Sequence, residues 1–368
     1  MRPRRNAVCP GGNNMTMIEL KAGLLCLGMR VAADTRDILL KEYPHFADKG
    51  FIDAVNAKIG NSNLCISIAE EYSAKSPYIL RKTGEQYFVY AGDEKFEIKF
   101  FPPLPATGTV LDDIARLHAD GCINIWPSTS CCYDTPDLKC SFCSLECKNK
   151  QPIPVEELCS ALQLLMQKVP DYTLNFSGGT YQNPDVMADY WSALARGIRR
   201  FSACPIAVEF APPADLSRLK AMKESGINAA IMNLEIADAE LRRKICPGKS
   251  RISREHYYKA FEEAVKVFGW GQVSSVLIGG IQPKEDILKE CEKMAAMGVF
   301  PTIMPFRPMD NCELHGLKAC DPQELIEMSL KLGVLLVKYK LHPHLQEGCT
   351  KCGGCSIEND CYLKAKQH

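Results

Sequence analysis

The 368-residue chain carries 44 Lys plus Arg against 44 Asp plus Glu, a formal net charge of zero. It offers no overall field to draw in nucleic acid or an anionic membrane, which favours a small-molecule or protein-bound substrate. No apolar run reaches the roughly eighteen residues of a membrane span, and Met1-Arg-Pro-Arg-Arg-Asn6 has no apolar signal core behind it, so the chain reads as cytoplasmic. In that setting nineteen cysteines point to metal ligands rather than to the disulfide framework of a secreted domain.

Residues 1–16 are rich in Gly, Asn, Pro and Arg and are expected to be disordered, with Met15 or Met17 as an alternative start. Residues 17–105 form an N-terminal helical and β-hairpin region. Within it, 17–80 read as helical with a turn-rich break at 60–63, and apolar runs at 87–90 and 96–100 flank a turn as a hairpin would. Pro102, Pro103 and Pro105 mark the boundary to the main domain. From 106 to 320 short apolar strands at 122–126, 172–176, 206–210, 229–233, 273–278 and 302–306 alternate with helical patterns. Val155, Leu158, Leu162 and Leu165 form one such pattern, and Tyr257, Phe261, Ala264 and Phe268 another. Alternating strands and helices predict an α/β fold with a parallel sheet, and six units are too few for a closed eight-unit barrel. The fold class is therefore a partial (β/α)6 TIM-like barrel, with an N-terminal α+β extension. A helix over 323–340 and a cysteine-rich tail complete residues 321–368.

The loop after the first barrel strand holds Cys132, Cys140 and Cys143, with Cys131 as an alternative first ligand. Three thiolates can hold three irons of a four-iron, four-sulfur cube and leave the fourth without a protein ligand, whereas an electron carrier normally uses four. The Cys140-x2-Cys143 spacing also suits structural zinc. A second set, Cys349, Cys352, Cys355 and Cys361, has iron–sulfur spacing with two glycines to let the loop wrap a metal, and zinc is again the alternative. His342 and His344 either join a metal or form a solvated turn. Cys26, Cys65, Cys159 and Cys291 lie in apolar contexts and read as small core residues.

Ligands in parallel α/β folds bind at the carboxyl ends of strands. The cysteine loop with Phe142 before its last cysteine, Ser177-Gly178-Gly179 after the second strand, and the segment from Asn233 and Glu235 to Pro247-Gly248-Lys249 all follow strands. Together they resemble radical S-adenosylmethionine (SAM) enzymes over about residues 106–320, most closely the biotin synthase and lipoyl synthase branch. Thr180 stands where that family usually has Glu, and the first cysteine gap is longer than its commonest pattern.

The resemblance implies a 4Fe-4S cluster on Cys132, Cys140 and Cys143, with SAM chelated to the open iron. It implies SAM contacts from Ser177, Gly178, Gly179, Asn233 or Glu235, and contacts of Glu209 with SAM or substrate. Arg242 or Arg243 would offer a guanidinium to a carboxylate, and Gly279 a bare backbone to adenine. Lys249 is read as a solvated flanking residue or a ligand contact. Arg307 is read as an anion clamp or a surface charge. The implied activity is reductive cleavage of SAM to a 5′-deoxyadenosyl radical that takes hydrogen from a small-molecule or carrier-bound substrate, with ferredoxin or flavodoxin as reductant. Sulfur insertion is the expected outcome; methyl transfer, skeletal rearrangement and a non-catalytic iron–sulfur protein are the alternatives. The tail cluster is expected to cover the barrel mouth from outside and to face SAM across the substrate cavity.

Overall fold

In the computed structural model, residues 15–47, 54–68, 70–145, 151–169, 172–343 and 347–367 are described. The disorder expected for the N-terminus lies outside them, except for Met15 and Thr16. Thr16 opens helix α1 (Met17–Leu27) with a reciprocal capping box: its hydroxyl accepts from the Glu19 amide, and the Glu19 carboxylate accepts from the Thr16 amide. The helix serves two cores, with Leu20 and Leu24 packed into that of the N-terminal sheet and Ala22, Leu25 and Cys26 into that of the barrel.

The chain then forms β1 (Arg30–Val31), α2 (Ala33–Glu42), β2 (Ala54–Ile59), β3 (Ser62–Ser67), β4 (Tyr78–Thr83), β5 (Gln86–Ala91) and β6 (Glu94–Phe100). These strands make one sheet in the order β1-β4-β5-β6-β2-β3. The hairpin expected at 87–100 is β5 and β6, with Tyr87 opposite Ile98. The helical expectation for 17–80 fails at β1, over 54–67 and from Tyr78 onward; 54–67 is a second hairpin turning at Gly60 with φ +56. Val55, Ala57 and Ile59 are buried at a spacing of two, the period of a half-buried strand rather than a helix.

The main domain runs α3 (Leu111–Ile114), β7 (Ala115–Ala119), β8 (Cys122–Ser128), α4 (Val155–Met166), β9 (Thr173–Gly178), α5 (Pro184–Ile198), β10 (Ile206–Glu209) and α6 (Ser217–Glu224). It continues with β11 (Ala229–Ile231), α7 (Ala239–Ile245), α8 (Arg254–Phe268), β12 (Val273–Gly279), α9 (Lys284–Ala296), β13 (Val299–Pro305) and α10 (Pro322–Lys338). The sheet order is β13-β12-β11-β10-β9-β8-β7, with β8 to β13 parallel throughout. All six expected strands are present, and β7 and β13 form the two edges, so this is the expected (β/α)6 partial barrel. Strand β7, antiparallel to β8, is an addition that the expected strands did not include.

Alternation along the strands decides what lines the barrel, because successive side chains point to opposite faces. Ile123, Ile125, Leu174, Phe176, Val208 and Leu277 pack outward into the helix layer. Trp126, Glu209, Ile231, Ser274, Val276 and Met304 face the interior. The interior is consequently mixed in polarity while the outer layer is apolar.

The tail, α11 (Cys349–Cys352) and α12 (Glu358–Ala365), corrects the expectation that it covers the mouth from outside. Each helix of a β/α unit returns the chain from the carboxyl ends of the strands to their amino ends, so α10 delivers the tail to the barrel floor. There Thr173, the first residue of β9, donates from its hydroxyl to Glu347 at 2.9 Å. Gly348, with φ +73, approaches Ala207 so closely that a Cβ would lie 2.6 Å from the alanine methyl. Farther on, the Glu358 carboxylate accepts from the Ile303 amide of edge strand β13 at 2.6 Å, satisfying a backbone donor at that edge. Among the described residues, no helix is long and apolar enough to cross a membrane.

Candidate active site

The cysteine loop sits at the carboxyl end of β8 and is fixed from two sides. On one side lies Ser177-Gly178-Gly179: a Cβ on Gly178 would collide with the Ser128 carbonyl oxygen, and one on Gly179 would strike the Ser130 carbonyl and come within 2.7 Å of the Cys131 Cα. The two glycines are required because loop backbone occupies the space of their side chains. The Cys132 amide adds a bond to the Thr180 carbonyl at 2.8 Å. On the other side lies the segment after α7. The Ser141 amide donates to the Ile245 carbonyl at 2.8 Å, the Gly248 amide donates to the Leu138 carbonyl at 3.1 Å, and a Cβ on Gly248 would enter the Tyr133 ring.

Within the loop, Cys143 has Cys131 and Cys140 as its nearby thiols, and burial pushes its pKa up to about 11. Cys132 is likewise pushed up to about 11, by burial and then by Cys131 beside it. Cys140 behaves oppositely: a hydrogen bond from Cys246 outweighs burial and, with Lys249 nearby, holds its thiol below the ordinary value. Cys246 is thus more than a small residue at a helix end.

Below the loop is a cavity of about 330 Å³. Phe142 and Cys143 line its upper part, Trp126, Ile278 and Phe306 its walls, and Cys349, Cys352 and Cys355 its floor. Its polar wall groups form one chain. The Val276 amide donates to Asn233 Oδ1 at 3.1 Å, and Asn233 Nδ2 donates to Glu209 Oε1 at 2.6 Å. Burial pushes Glu209 up to about 7, although Lys249 pulls the other way. Glu235 also lines the cavity and is ion-paired to Lys249 at 2.6 Å. Burial alone would lower the lysine pKa, but the Glu235 charge, with Tyr257 and Cys140, holds it well above its ordinary value. Lys249 is therefore no solvated flanking residue.

Other sequence-derived positions fall elsewhere. Arg242 is 2% exposed and does not line the cavity: its guanidinium donates to the carbonyls of Leu234, Ile252 and Lys249 and stacks on Tyr257. Each guanidinium nitrogen has a carbonyl partner, so Arg242 braces the Glu235 segment. Arg243 is exposed and pairs with Glu240. The side-chain direction of Gly279 points away from the cavity, toward Met328 and Ile303. Arg307 does line the cavity, and one of its guanidinium nitrogens donates to the Cys65 carbonyl at 3.3 Å. Cys361 is fully buried in the main core and does not join Cys349, Cys352 and Cys355 on the floor. His342 contacts Tyr362, and His344 lies outside the described residues. Cys65 and His118, neither of which sequence reasoning assigned to a site, both come to the floor. A buried cysteine and a strand histidine carry no local signal that separates ligand from core.

No family model matches the chain. A bacteriochlorophyllide c C-7(1)-hydroxylase from Chlorobaculum limnaeum is 30% identical over 131 residues, which are 35% of this chain and 33% of that protein. The chain thus matches about a third of the length of that relative. Among solved structures, methylornithine synthase (PylB) is similar at 20% identity and a TM-score of 0.45, over 59% of this chain and 62% of the other. The FeFe-hydrogenase maturase HydG from Carboxydothermus hydrogenoformans is similar at 15% identity and a TM-score of 0.46, over 59% and 51%.

Proposed function

We propose that the chain is a radical SAM enzyme that takes hydrogen from a C–H bond of a small-molecule or carrier-bound substrate held in the barrel cavity. The observation that carries this reading is the three-thiol loop at the carboxyl ends of the strands, opening onto a cavity walled by Glu209, Asn233 and Glu235. The donor set fits the cofactor. Cys140 and Cys143, with Cys132 or Cys131 in the third position, are soft thiolate ligands of the type an iron–sulfur cluster takes. When bound, the cluster supplies the electron that opens SAM to methionine and a 5′-deoxyadenosyl radical.

The chain's own residues account for the rest. Asn233 and Glu235 would offer side-chain oxygens to the amino and hydroxyl donors of SAM, and the Lys249 ion pair holds Glu235 in place. Trp126, Phe142 and Phe306 give the cavity an apolar wall that limits water around a reactive carbon radical. Arg307 offers a cation to an anionic substrate group. Sulfur insertion is favoured by the thiols on the floor facing the loop across one cavity. Hydroxylation is the second reading, favoured by the hydroxylase relative.

The test is anaerobic reconstitution with iron and sulfide, followed by an assay for 5′-deoxyadenosine from SAM under reduction by dithionite or flavodoxin. Cleavage that disappears in Cys140→Ala and Cys143→Ala variants supports the proposal, and cleavage that persists in both removes it. Once a substrate is found, a mass gain of one sulfur or one oxygen separates the two readings.

A further inference from the structure

Three side chains far apart in sequence meet at the barrel floor. Cys65 lies on β3 of the N-terminal sheet, His118 on the added strand β7, and Cys355 in the turn after α11. Their ligand atoms all lie within 4.8 Å of one another, and among the described residues this is the sole group of three or more such side chains so closely gathered. Cys65 and His118 are buried, and Cys355 is half-buried at the cavity wall. Tetrahedral coordination with bonds of about 2.3 Å to sulfur and 2.0 Å to nitrogen sets ligand atoms roughly 3.5–3.8 Å apart. His118 Nε2 lies 3.9 Å from Cys355 Sγ, so only a small adjustment separates this group from a ligand shell.

The surroundings are also those of a metal site. The opposite ring nitrogen, His118 Nδ1, is 3.1 Å from Cys352 Sγ; with Nδ1–H donating to that sulfur, the Nε2 lone pair is left for the group, as outer partners of metal-bound histidines arrange. The backbone brings the ligands together independently of any metal. The Cys65 amide donates to the Gly354 carbonyl at 2.8 Å, and Asn63 Nδ2 donates to the Cys352 carbonyl at 2.9 Å, so β3 and the tail are already in register. Cys349 stands slightly apart, with its Sγ 3.5 Å from Asn175 Nδ2.

We propose that Cys65, His118 and Cys355 are ligands of a second metal centre, a soft transition-metal site of mixed thiolate and imidazole ligation at the floor of the cavity. The centre joins the N-terminal sheet, the barrel edge and the tail, and of the four tail cysteines suggested by spacing it uses Cys355. Zinc and the iron of an iron–sulfur centre share this ligand chemistry. The proposal stands apart from SAM cleavage and does not need it.

The experiment uses the full chain with Cys131, Cys132, Cys140 and Cys143 changed to Ala, so that metal at the upper loop does not contribute. Iron, zinc and acid-labile sulfide are measured after anaerobic purification and after reconstitution. This background is expected to retain a centre: iron with sulfide identifies an iron–sulfur group, and zinc without sulfide a single ion. Adding Cys65→Ser or His118→Ala should lower that metal at least tenfold, while adding Cys361→Ser should leave it in place. Full metal content in both the Cys65→Ser and His118→Ala proteins overturns the proposal, as does a background that takes up no metal. Should those variants fail to fold by circular dichroism, His118→Cys decides. Replacing imidazole by a third thiolate should keep the metal and strengthen the thiolate charge-transfer absorption of the cobalt-substituted protein, and an unchanged spectrum overturns the assignment.

Discussion

The Lys249 ammonium lies 2.6 Å from the Glu235 carboxylate, and Glu235 holds its backbone at φ +69, in the left-handed region. A side chain with a Cβ occupies that region at a cost, and such positions persist where their surroundings over-determine them. Here Gln282 supplies part of that constraint, donating to the carbonyls of Glu235 and Ile278 while its side-chain oxygen accepts from the Ala237 amide. Strain at the cavity wall is thereby held by a buried amide and a buried ion pair.

Lys249→Met removes one partner of that pair and leaves Glu235 facing Glu209 without its cation. Breaking a buried pair costs about 3–5 kcal/mol, and urea unfolding should register a loss near the lower figure because Lys249 retains 17% side-chain exposure. SAM affinity, measured by equilibrium binding, should fall with it. A loss of less than about 1 kcal/mol would mean that the pair behaves as a surface bridge.

Gly179→Ala and Gly279→Ala separate backbone crowding from side-chain crowding. The first places a methyl against the Ser130 carbonyl and the Cys131 Cα, which are backbone and cannot swing aside; the second meets the movable tip of Met328 at 3.1 Å. The Gly179 variant should fail to hold iron at the upper loop after reconstitution, whereas the Gly279 variant should hold it normally. Equal iron content in the two proteins contradicts the seating of the loop on Gly179.

Cys131→Ala and Cys132→Ala resolve the first ligand. Cys132 is the residue whose backbone the Ser177–Thr180 turn holds, its amide bonded to the Thr180 carbonyl at 2.8 Å, so its loss should abolish the upper cluster and 5′-deoxyadenosine formation, and the Cys131 variant should retain both. The reverse pattern moves the ligand role to Cys131.

Glu358 gives a pH signature. Burial lifts its carboxyl from the ordinary 4.5 to about 7, despite the amide of Ile303 donating to it. The folded state then binds the proton more tightly than the unfolded state, so the stability from this group is full below about pH 4.5 and is lost as pH rises through about 7. The shift corresponds to a change on the order of 3 kcal/mol. Unfolding free energies between pH 5 and 8 should decline in the wild type and decline less steeply in Glu358→Gln, the remaining slope coming from Glu209, which burial also lifts to about 7; parallel curves would assign the slope to other groups.

The six barrel strands, their helices and the three-cysteine loop at a strand end were legible in the sequence because each is written locally, as short apolar runs, helical periodicity and close cysteine spacing. Asn233, Glu235 and Glu209 were legible as polar residues that a parallel sheet delivers to one end of its interior. Long-range relationships were not. The spacing of Cys361 suggested a fourth tail ligand, yet α12 turns that side chain into the main core, while β3 and β7 carry Cys65 and His118 to the floor. Arg242 read as a guanidinium for a carboxylate until the fold gave it three carbonyls and a tyrosine face. Which end of the barrel the tail occupies was decided by the return of α10 to the amino ends of the strands. Local sequence determines secondary structure because hydrogen bonding and burial period act over a few residues; a cluster of two thiols and an imidazole drawn from a sheet, a barrel edge and a tail exists only once packing has brought separate segments together.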